Sequence, residues 1–167
     1  MTIKIATAFL FYLFYWFCCF LGTGTDGKNL VGLRSYPGAV QTAVRAHPVL
    51  GKAAPQEKPL WSILLGNLLL FTAAFSALGL AGKSALDLSG FAAAFWFFLV
   101  LGEGLGLFDL VIIDLLWWRN TRRVRFSFLP EKECYQDPGT HIGSFLRGIP
   151  LFAAVAALSA GIVTLAG

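Results

Sequence analysis

Of 167 residues, 57% are hydrophobic and only 13% are charged, about half the charged share of an ordinary soluble domain. So little polar surface excludes a water-soluble globule, and 16 Phe, 5 Trp and 4 Tyr are the aromatic excess of a chain whose rings sit where helices meet lipid headgroups. The formal charge of +4 does not call for nucleic acid, because Lys and Arg gather in the loops between apolar runs, where membrane topology accounts for them.

The first apolar run extends from residue 5 to residue 21 after Lys4. It is too long and too aromatic (Phe9, Phe11, Tyr12, Phe14, Tyr15, Trp16, Phe17) for a signal-peptide core, and no small-x-small cleavage site follows it, so it is expected to span the membrane. Cys18 and Cys19 lie within it and Cys134 in a basic loop; no extracellular disulfide pattern results, and reduced thiols serving as packing residues are expected.

The loop 22–59 carries its own elements. Pro37 is placed to open a short helix in which Val40, Val44 and His47 share one stripe and Gln41 and Arg45 another, a pattern expected to lie along the membrane surface. The segment 51–59 (GKAAPQEKP) reads as a linker. Further spans are expected over 60–81, 91–118 and 149–166, each near the ~20 apolar residues a crossing needs. In the loop 119–148, Thr140 after Pro138 and Gly139 predicts an N-cap, with a helix starting at His141 and bending at Pro150.

Eleven Lys and Arg fall on the side of these two loops and only Lys4 and Lys83 on the other. Basic loops stay in the cytoplasm, so both termini are expected outside it. The expected fold is therefore all-α: a four-transmembrane-helix bundle with short cytoplasmic interfacial helices, forming a single membrane domain over residues 1–167.

Small residues mark helix contacts. Ala153, Ala157 and Gly161 form one stripe on the fourth span, Ala156, Ala160 and Thr164 a second, and Gly102 and Gly106 a third on span three. Such faces let helices approach closely in lipid, within the chain or in a homo-oligomer or other membrane-protein partner.

Chemistry is concentrated in span three, in LVLGEGLGLFDLVIIDLLWW. An Asp at the bilayer centre costs about 2.5 to 3.5 kcal/mol on insertion scales, so such groups turn toward protein or water and mark ion or substrate paths. At 1.5 Å per residue, Glu103, Asp109 and Asp114 lie roughly 22, 13 and 6 Å from Trp118. A regular α-helix places Asp109 on the Gly102/Gly106 face and turns Glu103 and Asp114 roughly 120° away, which argues against a two-carboxylate metal site on this helix alone. Asn67, Tyr12 and Tyr15 come near the depth of Asp109, and Thr72 and Ser76 near that of Glu103, giving an intramembrane polar group of Glu103, Asp109, Asn67, Tyr12 and Tyr15. A second candidate group sits at the cytoplasmic edge: Asp114, His141, Arg122, Arg123 and Arg125, where guanidinium groups beside Trp117, Trp118 and Phe126 suit an anionic lipid phosphate and His141 suits acid–base work.

Cys134, Asp137 and His141 lack helical spacing and a fourth ligand, so no metal is expected there. HExxH, GxxxxGK[ST], GxSxG and CxxCH are all missing, so any enzyme here is of a kind those motifs do not cover and its cofactor is unknown.

Lys28, Asn29, Ser35, Tyr36, Pro37, Val40 and Gln41 in the first loop, with Asp109, Asp114, Trp117, Arg122, Arg123, Arg125, Tyr135, His141 and Gly143, resemble small bacterial integral membrane proteins with four transmembrane helices and no assigned activity. The resemblance covers about a third of the chain and implies a bacterial inner-membrane setting and no reaction. The leading expectation for function is a non-catalytic accessory or scaffolding subunit of a membrane assembly. Its alternatives are a proton- or cation-linked carrier using the intramembrane carboxylates, and a protein or enzyme binding a lipid headgroup at the cytoplasmic face.

Overall fold

The structure is a computed structural model that describes residues 2–166. It is 75% helical, without a strand among the described residues. The α-helices are α1 (Thr2–Leu21), α2 (Asp26–Val31), α3 (Gly38–Ala46), α4 (Leu50–Ala53), α5 (Leu60–Gly82), α6 (Phe91–Phe108) and α7 (Gly139–Leu165). Four helical stretches are long and apolar enough to cross a membrane, three of them Thr2–Leu21, Leu60–Gly82 and Phe91–Trp118. The fourth contains α7 and has mean hydropathy 2.0.

Local sequence sets the ends of these elements. Pro37 and Pro59 stand in extended geometry immediately before α3 and α5, where a missing N–H leaves no helix bond unmade. α7 begins at Gly139, earlier than expected, and runs through Pro150. Thr140 is inside its first turn, and it is Asp137 Oδ1 that accepts from the Gly139 N–H at 2.9 Å, as short acidic side chains do at helix starts. Beyond α6 the helix does not end but changes register: Asp109–Trp118 is a π-helix, with backbone bonds reaching five residues instead of four.

The chain divides into two compact units. The first contains the chain up to Tyr12, Lys58–Leu107 and the segment from Leu146 onward. Its centre is aromatic and aliphatic: Phe75, Phe98, Val155, Ala156, Ala160 and Val163 are wholly buried, and the Phe75 and Phe98 rings stack at 5.7 Å. Where helices touch, one partner is small. A Cβ on Gly79 would overlap Phe98 and Val163, and one on Gly102 would overlap Phe152. These fits rest on van der Waals contact, the main attraction left between helices once lipid removes the hydrophobic drive. Leu69, Leu70, Trp96 and Val100 remain more than 60% exposed, as surfaces facing acyl chains would be.

The second unit contains Leu13–Glu57 and Phe108–Phe145. Both polar loops fold into it around one core of Leu30, Leu33, Tyr36, Val40, Val44, Trp118, Val124, Phe126 and Tyr135. The Val40/Val44 stripe of α3, expected to lie on the membrane, is instead completely buried in this core; its apolar spacing reads the same whether lipid or protein covers it. Asn29, 2% exposed, ties the loops together. Its Nδ2 donates to the carbonyls of Arg123 at 3.0 Å and Arg125 at 3.4 Å, and its Oδ1 accepts from Gly24 N. Asp26 accepts from both the backbone N–H and the hydroxyl of Ser127.

Tyr36 and Tyr135 anchor that core, their hydroxyls donating to Val124 O at 2.7 Å and Leu129 O at 2.8 Å. Burial raises both phenols above their ordinary value. A phenol whose folded value is raised contributes stability that is fully present below its unfolded value of about 10 and is lost as pH rises above it. Thermal unfolding should therefore be flat with pH up to about 10 and fall steeply beyond, with tyrosinate absorbance appearing together with unfolding. Tyr36→Phe should weaken the protein at neutral pH yet soften the alkaline fall; tyrosinate forming well before unfolding would contradict the burial of these rings.

Candidate functional site

Within the second unit, the ends of three spanning stretches and the first loop surround a cavity of about 320 Å³. α1 supplies Tyr15 and Cys19, the π-helix supplies Asp109, Asp114, Trp117 and Trp118, and α7 supplies His141 and Ser144. Thr23, Lys28, Asn29 and Tyr36 complete it from the loop.

The π-helix is what brings the two carboxylates together. In the expected α-helical phase Asp109 and Asp114 diverge, but the wider winding of a helix whose backbone bonds reach i+5 turns positions five apart closer to one side, and both side chains line the same cavity. That corrects the angular separation read from the sequence, which assumed regular helix throughout span three. Apolar patterning holds no signal for the change, since nearly every neighbour from Leu110 to Trp118 is hydrophobic.

Asp114 Oδ2 lies 2.9 Å from His141 Nδ1, with the two side chains 16% and 4% exposed. A carboxylate facing Nδ1 fixes the proton there and leaves Nε2 as the reactive nitrogen, an acceptor in the neutral ring. The Trp118 ring meets the His141 ring edge-on at 4.9 Å, which holds its plane. His141 Nε2 is buried and has no hydrogen-bond partner in the protein among the described residues. Leaving such an atom unmatched costs about 1 to 3 kcal/mol, so sites that keep one open are candidates for ligand contact. The pair has the geometry of an oriented imidazole: Asp114 holds the ring at Nδ1 and Nε2 is left without a partner in the protein among the described residues.

The remaining residues expected at the cytoplasmic edge do not join this cavity. Arg123 turns to the end of α1, where its Nη2 donates to Phe20 O at 3.1 Å and Thr23 O at 2.9 Å while the guanidinium lies 3.9 Å over the Phe20 ring. It neutralises the negative helix terminus there. Arg122 and Arg125 border a separate surface recess with Ser127 and Pro130, and Arg125 Nη1 donates to Pro130 O.

The intramembrane group also divides. Tyr15 and Asp109 are in the second unit, whereas Tyr12, Asn67 and Glu103 are in the first. There the Tyr12 hydroxyl donates to Leu101 O at 3.1 Å and occupies the space a side chain at Gly104 would take. Asn67 and Glu103 are half-buried. No group of three or more metal-ligating side chains occurs among the described residues.

Cys19, Asn29, Tyr36 and Ser144 were not legible as lining residues from the sequence. Asn29 and Tyr36 stand out only through the resemblance to bacterial membrane proteins, and Cys19 only by falling one helical turn from Tyr15. No known protein family, curated protein or solved structure matches the chain, so the reading rests on geometry.

Because Arg123 holds the end of α1 with charge-assisted bonds, Arg123→Ala should lower stability by about 1.5 to 3 kcal/mol. Arg122→Ala, at an exposed position, should change it by no more than about 0.5 kcal/mol. Chemical unfolding in detergent followed by tryptophan fluorescence checks this; equal effects would contradict the assigned contacts.

Proposed function

We propose that this chain is a membrane-embedded binding protein whose cavity takes the polar headgroup of a lipid, with Asp114 and His141 as an acid–base pair against it. The observation that carries the reading is His141 Nε2, buried and unmatched on a side chain that lines a cavity. The cavity is formed by the ends of spanning helices together with a polar loop, which is the level at which headgroups lie. Its volume, about 320 Å³, is at the small end for ligand sites and suits a headgroup better than a whole lipid.

In this proposal the setting is a bacterial inner membrane. The eleven basic residues in and beside the two loops support a cytoplasmic position for those loops, with both termini outside. Reporter fusions within 51–58 and within 130–133 should both give cytoplasmic signals; opposite signals would overturn the placement.

Headgroup binding is tested by native mass spectrometry of the chain extracted from bacterial membranes in mild detergent. The wild-type protein should retain one lipid per chain. His141→Ala and Asp114→Ala should lose it, while Arg122→Ala keeps it. Equal lipid retention in all four proteins would remove the cavity as the binding site.

A second reading, a scaffold for a larger membrane assembly, is favoured by one feature of α7. Ala156 and Ala160 are buried within the first unit, but a Cβ at Gly161 meets nothing within 4 Å, so Gly161, in line with the half-buried Ala153 and Ala157, leaves room for a neighbouring helix. Gly161→Leu should break an association made there and leave lipid retention unchanged. Unchanged co-purification of partner proteins would speak against this face.

A further inference from the structure

Several donors that line the cavity are committed to backbone, whereas its carboxylate and imidazole acceptors are not. Thr23 Oγ1 donates to Phe20 O at 3.0 Å and Lys28 Nζ to Leu21 O at 3.0 Å. Asn29 Nδ2 is committed to the two arginine carbonyls and the Tyr36 hydroxyl to Val124 O. These four loop side chains, Thr23, Lys28, Asn29 and Tyr36, thus turn donors to backbone carbonyls. The acceptors are not so committed. Asp109 accepts no hydrogen bond among the described residues and faces the cavity beside Asp114, and His141 Nε2 is unmatched. None of Arg122, Arg123 and Arg125 reaches this lining. A phosphate placed here would meet two carboxylates.

From this we infer that the cavity binds a primary ammonium group, with Asp109 as its counter-ion and His141 Nε2 as a second acceptor. The inference rests on the headgroup reading above and names its chemistry. A primary ammonium brings three N–H donors, and each bond to an ionised acceptor is shorter and stronger than a neutral one. Tyr15, Tyr36, Trp117 and Trp118 add aromatic surface to the same lining, which attracts a cation through the ring faces. A quaternary ammonium would gain the aromatic contact but has no proton for His141 Nε2. The two sources of such a group are an ethanolamine lipid headgroup and a free small amine.

The test uses the full chain in detergent, titrated separately with phosphatidylethanolamine, phosphatidylcholine, phosphatidylglycerol and free ethanolamine, and read by native mass spectrometry and calorimetry. Phosphatidylethanolamine should be retained about tenfold more strongly than the other two lipids, the scale of one charge-assisted hydrogen bond. Asp109→Asn, which keeps the shape, should abolish that preference while leaving the melting temperature within a few degrees of wild type. Saturable, Asp109-dependent heat from free ethanolamine without lipid preference supports the inference with a soluble amine as ligand. Retention of phosphatidylglycerol that depends on His141 but not on Asp109 overturns the ammonium inference and keeps the headgroup site. Absence of any retention or heat that depends on His141 or Asp109 overturns both.

Discussion

Backbone hydrogen bonds that reach five residues instead of four, from Asp109 to Trp118, place both carboxylates of the third span's final turns on one cavity wall. In a regular α-helix the same residues would face different neighbours, and an acid within a span would need a partner for each direction. A π-helical stretch is poorly packed along its own axis and persists where surrounding contacts hold it. Here those contacts include the Asp114–His141 pair and the edge-on packing of Trp118 against His141. Register, pair and cavity are one arrangement, and each loses its reason without the others.

The loops give that arrangement its rigidity. A polar segment beside a membrane is ordinarily free to move, but residues on both sides of the unit are joined by Asn29 and by a core containing Val40, Val44, Tyr36, Val124 and Tyr135. This is a soluble-type core within a membrane protein. Hydrophobic burial works for it because water, not lipid, is the alternative environment for loop side chains. The first unit relies on something different, glycine and alanine against aromatic rings, as in Gly79 against Phe98 and Gly102 against Phe152.

Much of the fold was legible in the sequence because a bilayer imposes length and apolarity on anything that crosses it. The helices α1, α5 and α6 with its π-helical continuation start and stop close to the apolar runs at 5–21, 60–81 and 91–118. Hydropathy shows α7 only from residue 149 onward; its earlier, polar turns were legible from the start signal of Pro138, Gly139 and Thr140, which put the first residue at His141 where the helix begins at Gly139. The site was legible in part. Asp109, Asp114, Tyr15 and His141 stand out as polar or titratable groups at or near spans, and the structure brings these four to one cavity. What periodicity could not supply was the change of helical register, and charge alone could not show that Arg123 serves the end of α1 and not a ligand. Depth along a helix also grouped Glu103 and Asn67 with Asp109, although depth carries no information about which helices are neighbours.

The most direct measurement of the central claim is magic-angle-spinning NMR of the isotopically labelled chain in lipid nanodiscs, reading the His141 ring nitrogens and the carboxyl carbons of Asp109 and Asp114. The account predicts a proton on His141 Nδ1, a through-space correlation from that nitrogen to the Asp114 carboxyl, and an Nε2 resonance that moves when an ethanolamine lipid is added. A proton on Nε2 with no Asp114 correlation would contradict it.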